Sequence, residues 1–331
     1  MTRVGLVLGA GGNVGQAYHA GVLAALEQDL GWDPRTSEVT VGTSAGSVVA
    51  SLVCLGAPAA DVAAHFLGEP LSVDGAAILE PLRQIGHELP PLSLSSIFKG
   101  PWHGPSLRLV RRAALRPWAV RADRVVMTLL PDGKIDLFEH AADALASPVL
   151  SGEWPPGLRI CAARCDDARR VVFGSPGAPR ASLSEAIAAS CAIPGFFTPV
   201  TIGGVRYFDG GVHSPTNADI LRRSGLDLVI VSSPMSSANG RLRTPSTQLR
   251  RDAHLRLKRE VAALRRAGTT VICFEPAHQS MEAMGTDALD TTRSADIVKA
   301  AFLEARGWAA DRRTAPLLKS VTRHPRADNL R

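Results

Sequence analysis

The chain lacks most of the features that hold small or secreted folds together. Its 331 residues include five cysteines, Cys54, Cys161, Cys165, Cys191 and Cys273. An odd, scattered set defines no disulfide framework, and the pair at 161 and 165 is too isolated to make a zinc site. Reduced thiols, mostly packed in a core, are expected. No window reaches the roughly 18 apolar residues that a membrane span needs. The apolar run at residues 3–8 is too short for a signal h-region. The expectation is a cytoplasmic protein, at most peripheral to the inner face of the membrane. No His/Cys/Asp cluster has metal-ligand spacing, so no metal and no cofactor is expected. Lysine occurs only at 99, 134, 258, 299 and 319, so arginine carries most of the net charge of +6. The basic stretches lack the interleaved aromatics on which nucleic-acid bases stack, and no nucleic-acid partner is expected. Internal repeats and long low-complexity segments are absent as well.

What is present suits a globular enzyme. Hydrophobic residues make up 45% and charged residues 21% of the chain, close to ordinary soluble values. A chain of this length buries a large core unaided. Residues 3–8 form an apolar run that stops at glycines, as a buried strand of an α/β sheet does. A Gly-rich turn follows, then an Ala-rich helix over about 16–28. Residues 38–41 read as a second strand that runs into Gly42–Gly46 and a helix over about 46–55. Strand, Gly-rich turn and helix thus occur twice within 55 residues, which argues for a parallel sheet with crossover helices. Residues 158–163 and 169–173 read as two strands around a tight turn. A helix follows at 183–191, then a strand ending in the turn of 205–211, and buried strands at 226–232 and 270–274. The proline-rich stretch 56–157 is expected as an insertion of short helices and loops over one face of the sheet. The whole reads as a single domain over 1–310 with a polar tail at 311–331.

Three motifs carry chemistry. Gly42-Thr43-Ser44-Ala45-Gly46 fits G-x-S-x-G, between a strand and a helix as that pattern requires. Such a turn holds the serine exposed in strained backbone, and the flanking glycines let neighbouring elements approach closely. The helix that begins just after Ser44 points its N-terminal dipole at the site. The second motif is Gly9-Ala10-Gly11-Gly12-Asn13-Val14-Gly15, whose N–H groups can hold a phosphate or an oxyanion. Its Gly9, Gly11, Gly15 spacing also admits an NADP-binding reading, although the next strand ends in the serine motif and not in a ribose reader. The third is Asp209-Gly210-Gly211, which by itself is a common turn.

Taken together, in this order, the motifs resemble those of the patatin-like phospholipase family. A further match is Ala189-Ser190-Cys191-Ala192-Ile193-Pro194-Gly195-Phe196-Phe197. The resemblance covers about 3–55 and 158–235. It implies a three-layer α/β/α fold with a mostly parallel central sheet and a helical insertion over the active site. It also implies a lipid acyl hydrolase, phospholipase A or lysophospholipase-like, in which Ser44 attacks the ester carbonyl and Asp209 accepts its proton. Backbone N–H groups of Gly11, Gly12 and Asn13 would hold the oxyanion, with Gly42, Gly46, Gly210 and Gly211 supporting the motifs. One departure stands out: Val14 occupies the place where the family usually carries Arg or Lys. It leaves open a catalytically weak interaction protein on the same fold. His19 and His213 lie close enough in sequence to reach the site, although packed or solvated histidines are the ordinary reading. The basic helical pattern over 250–268 can lie on an anionic bilayer, or place its apolar stripe on the core as most surface helices do. Arg108, Arg111, Arg112 and Arg116 form a second basic patch. The expected partners are a lipid or acyl-ester substrate and, through these basic surfaces, the membrane periphery.

Overall fold

The repeated strand–turn–helix pattern sets the architecture. β1 (Val4–Leu8) and β2 (Val39–Thr43) each lead directly into a helix, α1 (Gly12–Leu30) and α2 (Ala45–Cys54). The computed structural model describes residues 2–83, 101–102, 106–115, 122–140, 147, 149–150, 152–237 and 245–310. The proline-rich stretch supplies α3 (Ala59–Leu67), α4 (Val73–Arg83), α5 (Leu107–Leu115), α6 (Ala122–Leu129) and the short α7 (Leu137–His140). Then come β3 (Leu158–Arg164), β4 (Arg170–Phe173), α8 (Leu183–Cys191), β5 (Val200–Ile202) and β6 (Val205–Asp209). The described chain closes with β7 (Leu228–Ser232), α9 (Pro245–Arg266), β8 (Thr270–Phe274), α10 (His278–Met284) and α11 (Ser294–Ala310). The tail at 311–331 and Arg116 lie outside the described residues, as does the side chain of Arg112.

The strands form one mixed sheet. β3, β2, β1, β7 and β8 are parallel neighbours in that order, while β4, β5 and β6 join antiparallel at the β3 side. Alternation along the strands divides two cores. Leu6 and Leu8 of β1, Leu228 and Ile230 of β7, and Ile272 and Phe274 of β8 face one layer, with buried side chains of α1, α2, α3, α8 and α11. Val7, Val229, Val231 and Val271 face the other, with Leu257, Val261 and Leu264 of α9 and with Ala218 and Leu221. Three α/β/α layers result.

α9 resolves the choice left open for the basic helix. Its Ala253, Leu257, Val261 and Leu264 are buried, so the apolar stripe rests on the core, while Arg251, Arg259, Arg265 and Arg266 are exposed and Arg250 and Arg256 are part-buried. Among the described residues no helix is long and apolar enough to cross a membrane. α8 begins at a capping box in which Ser182 and Glu185 satisfy each other's backbone N–H, worth about 1 kcal/mol. That start fixes Ser190 and Cys191 at the helix's far end, beside the serine turn.

Candidate active site

The site arises at a junction of three strands. β3 carries β4 along one edge, over 160–163. Its other edge holds β2 over 158–161 and then β6 over 162–164, with β6 running the opposite way. Thr43 pairs with Cys161, and Asp209 pairs with the next residue, Ala162. β2 and β6 therefore meet end to end. The chain leaving β2 turns at Ser44 where β6 delivers Asp209.

Ser44 has φ 53° and ψ −124°, a region that costs a non-glycine residue about 1–3 kcal/mol. The surroundings hold it there. Its N–H donates to Ser190 Oγ at 2.8 Å, and Ser190 Oγ donates to the Cys161 carbonyl at 2.6 Å. Its carbonyl accepts from the N–H and the hydroxyl of Ser47, both at 2.7 Å. Gly42 packs against Ser47, and Gly46 lies so close to β1 that a methyl group there would collide with the Leu8 carbonyl. The Gly46 N–H donates to the Gly9 carbonyl at 3.1 Å, which ties the serine turn to the Gly-rich loop.

Asp209 is 6% exposed and Ser44 5%. The Ser44 hydroxyl lies beside the Asp209 carboxylate and favours its charged form, and the Gly211 N–H donates to Asp209 Oδ1 at 2.7 Å. Burial outweighs both and pushes the Asp209 carboxyl up to about 6; desolvation disfavours the charged form. Gly210 offers its carbonyl to the N–H groups of His213 and Ser214 at 3.0 and 3.2 Å. Asn217, with φ 52°, braces this turn from behind. Its Nδ2 donates to Thr43 Oγ1 at 3.1 Å and to the Ser214 carbonyl at 2.7 Å, so it joins the residue before Ser44 to the turn after Asp209. Arg170 in turn fixes Asn217 Oδ1 at 3.1 Å while pairing with Asp219 at 2.5 Å.

The Gly-rich loop is the start of α1, which begins four residues before the helix read from sequence. Gly12, at φ +63°, turns the chain into the helix against the Ala288 carbonyl. The N–H groups on either side of the turn are committed: Ala10 to the Pro215 carbonyl at 2.8 Å, Val14 to Ala288 at 3.3 Å and Gly15 to Gly11 at 3.0 Å. Among the described residues those of Gly11, Gly12 and Asn13 have no acceptor. The Asn13 side chain donates to the Leu289 carbonyl at 2.8 Å. Val14 is buried in the core.

Neither histidine joins the pair. His19 is buried, with Nε2 2.8 Å from the Gly9 carbonyl and Nδ1 2.8 Å from Ser232 Oγ. A carbonyl only accepts, so Nε2 carries the proton and Nδ1 takes the serine hydroxyl's. Burial lowers this imidazole to about 4, so it is neutral and serves to anchor the loop. His213 sits toward Asp219, whose carboxyl its charge helps lower. Ser47, Ser190 and Cys191 were not singled out individually by sequence, although two of them lie in the 189–197 stretch. The Cys191 thiol lies 3.8 Å from the Ser47 hydroxyl, and burial pushes it up to about 12, which leaves it a thiol and no rival nucleophile. No group of described His, Cys, Asp or Glu residues can hold a metal ion.

A serine on a strained turn, beside a buried carboxylate and next to a Gly-rich loop with unengaged N–H groups, is compatible with a serine hydrolase site. The family model for patatin-like phospholipases matches residues 6–222. The chain belongs to the patatin-like phospholipase family, and that membership supports a lipid acyl hydrolase at family level. None of the curated proteins matches it. Among solved structures, VipD from Legionella pneumophila shares 15% identity at a TM-score of 0.42, over 97% of this chain and 67% of that one. The type III effector protein ExoU shares 15% identity at a TM-score of 0.34, over 94% of this chain and 54% of that one.

Proposed function

We propose that the protein hydrolyses lipid acyl esters, of phospholipid or lysophospholipid type, through a Ser44–Asp209 dyad. The observation that supports this reading is the placement of the Ser44 hydroxyl, on its strained turn, beside a carboxylate that burial raises to about 6. A carboxylate at its ordinary value is a weak base; raised toward neutrality it stays ionised at pH 7 and becomes a better proton acceptor. Ser44 Oγ attacks the ester carbonyl carbon while Asp209 takes its proton. The carbonyl oxygen becomes an oxyanion, received by the N–H groups of Gly11, Gly12 and Asn13 at the positive end of α1. The intermediate collapses, the alcohol leaves with the proton held by Asp209, and the acyl group remains on Ser44. Water, deprotonated by Asp209, then releases the fatty acid.

The test is fatty-acid release from lysophospholipid by the purified protein and its Ser44→Ala and Asp209→Asn variants. Both variants should lose about 10³-fold or more of kcat. Undiminished release by folded Ser44→Ala would refute the mechanism.

A further inference from the structure

Arg250 is a part-buried cation beside the Gly-rich loop with no acid on it among the described residues. Arg3 pairs with Glu38, Arg164 with Asp166 and Arg170 with Asp219. Arg250, in the second turn of α9 and outside the family-matched residues, is part-buried and has no carboxylate partner among the described residues. Its Nη1 donates to the Pro234 carbonyl at 2.6 Å, and its Nη2 lies 3.7 Å from Met284 Sδ. Burial lowers its guanidinium from the ordinary value. An unmatched part-buried charge costs stability, so its place calls for a use.

Pro234 supplies the connection. It lies in the turn after β7, beside the turn after β1 because those two strands are paired. Its ring packs on the Gly-rich loop: a methyl group built on Gly11 would lie 2.8 Å from Pro234 Cγ, and one on Gly15 3.3 Å from it. The loop has no charge of its own, since Val14 is in the core and no acid stands in the first turn of α1. Arg250 thus reaches, through one residue, the loop whose Gly11, Gly12 and Asn13 N–H groups have no acceptor among the described residues.

Resting on the hydrolase reading, we infer that Arg250 is a positioning residue for the oxyanion loop. It holds Pro234 against Gly11 and Gly15 and sets a fixed positive charge behind the place where the oxyanion forms. The loop itself is uncharged, and Arg250 supplies a charge from a distant part of the chain. A guanidinium suits the task because it stays charged when part-buried and directs its N–H groups in a fixed fork.

The experiment compares Arg250→Met, Arg250→Lys, Pro234→Ala and the Arg250→Met/Pro234→Ala double variant on a soluble acyl ester, with thermal melts to verify folding. A direct oxyanion donor is worth about 10²–10³ in kcat, so a group one residue behind should be worth less. Arg250→Met should lower kcat about 10–30-fold with KM within about twofold. Arg250→Lys should recover most of that loss. Pro234→Ala should lose a similar amount, and the double variant no more than the worse single. Retention of kcat within twofold in Arg250→Met would overturn the inference. So would a lysine as poor as methionine, or losses that multiply in the double variant. Should Arg250→Met fail to fold, Arg250→Lys and Pro234→Ala still decide: near-wild-type kcat with lysine and a loss with alanine support the inference, and any other pairing overturns it. A wild-type protein that neither turns over ester nor reacts with a fluorophosphonate would sink the hydrolase reading, and this inference with it. An active wild type with an indifferent Arg250→Met would sink this inference alone.

Discussion

Asp209→Asn should make the protein more stable at pH 8 while removing its chemistry. Burial holds the Asp209 carboxyl near 6 in the folded chain, against 3.8 for an ordinary aspartate. Below about pH 4 the group is protonated in both folded and unfolded chains and contributes nothing. Between about 4 and 6 the unfolded chain releases the proton and the folded chain keeps it, so stability falls by about 1.4 kcal/mol per pH unit. Above about 6 both are ionised, and the penalty levels off near 3 kcal/mol. Asparagine has the same shape, carries no charge at any of these pH values, and still offers an oxygen to the Gly211 N–H. Urea unfolding of both proteins across pH 4 to 8 measures the difference. Asp209→Asn should gain up to about 3 kcal/mol at pH 8 and most of that gain should vanish at pH 4. Other titrating groups are common to both proteins and cancel. A variant that is less stable than wild type at pH 8, or a difference that does not change with pH, would refute the desolvated carboxylate.

The same group sets the acid limb of catalysis. kcat/KM for a soluble ester should rise through a single ionisation near pH 6 and level off above it, since protonated Asp209 accepts no proton from Ser44. His19 should stay neutral, with its proton on Nε2, until the pH falls to about 4; imidazole nitrogen shifts in an NMR titration would show this directly. Because its value is lowered, the unfolded chain takes a proton below about pH 6.5 that the folded chain refuses. Stability should therefore drop between about pH 6.5 and 4 by roughly 3 kcal/mol from this residue. Asn217→Ala should cost about 2–4 kcal/mol in chemical denaturation, since it strands the bonds to Thr43 and Ser214 and removes the short polar side chain that makes left-handed backbone tolerable here.

Local features were legible in the sequence. The apolar runs at β1, β2, β7 and β8 announce buried strands, and their alternation between two cores follows from the period of a strand. The turn at Ser44 was legible because its motif sits where a strand enters a helix; Asp209 stood out only through the resemblance, since its own turn is a common one. The end-to-end meeting of β2 and β6 was not legible, because it depends on two strands 162 residues apart, from Thr43 to Val205, sharing one edge of β3. β5 is three residues long, too short to show a period. α11 was not read, although it packs on α1 and helps to bury that helix on all sides. α1 starts at Gly12 and not at 16 because Gly12 itself makes the turn, a conformation that composition does not reveal. The contacts of Ala288, Leu289, Pro234 and Arg250 with the Gly-rich loop are tertiary, and nothing in the residues 9–15 foretells them. The basic stretch over 250–268 shows the limit of patterning: its stripe fits a bilayer as well as a core, and only packing decides.

The most direct measurement of the central claim is the rate and position of fluorophosphonate labelling. The probe mimics an ester under attack and bonds covalently to an activated serine oxygen. The dyad predicts one adduct, on Ser44, absent in Ser44→Ala and slowed by two or more orders of magnitude in Asp209→Asn. A folded wild-type protein that takes no label, or takes it on another serine, would contradict the account.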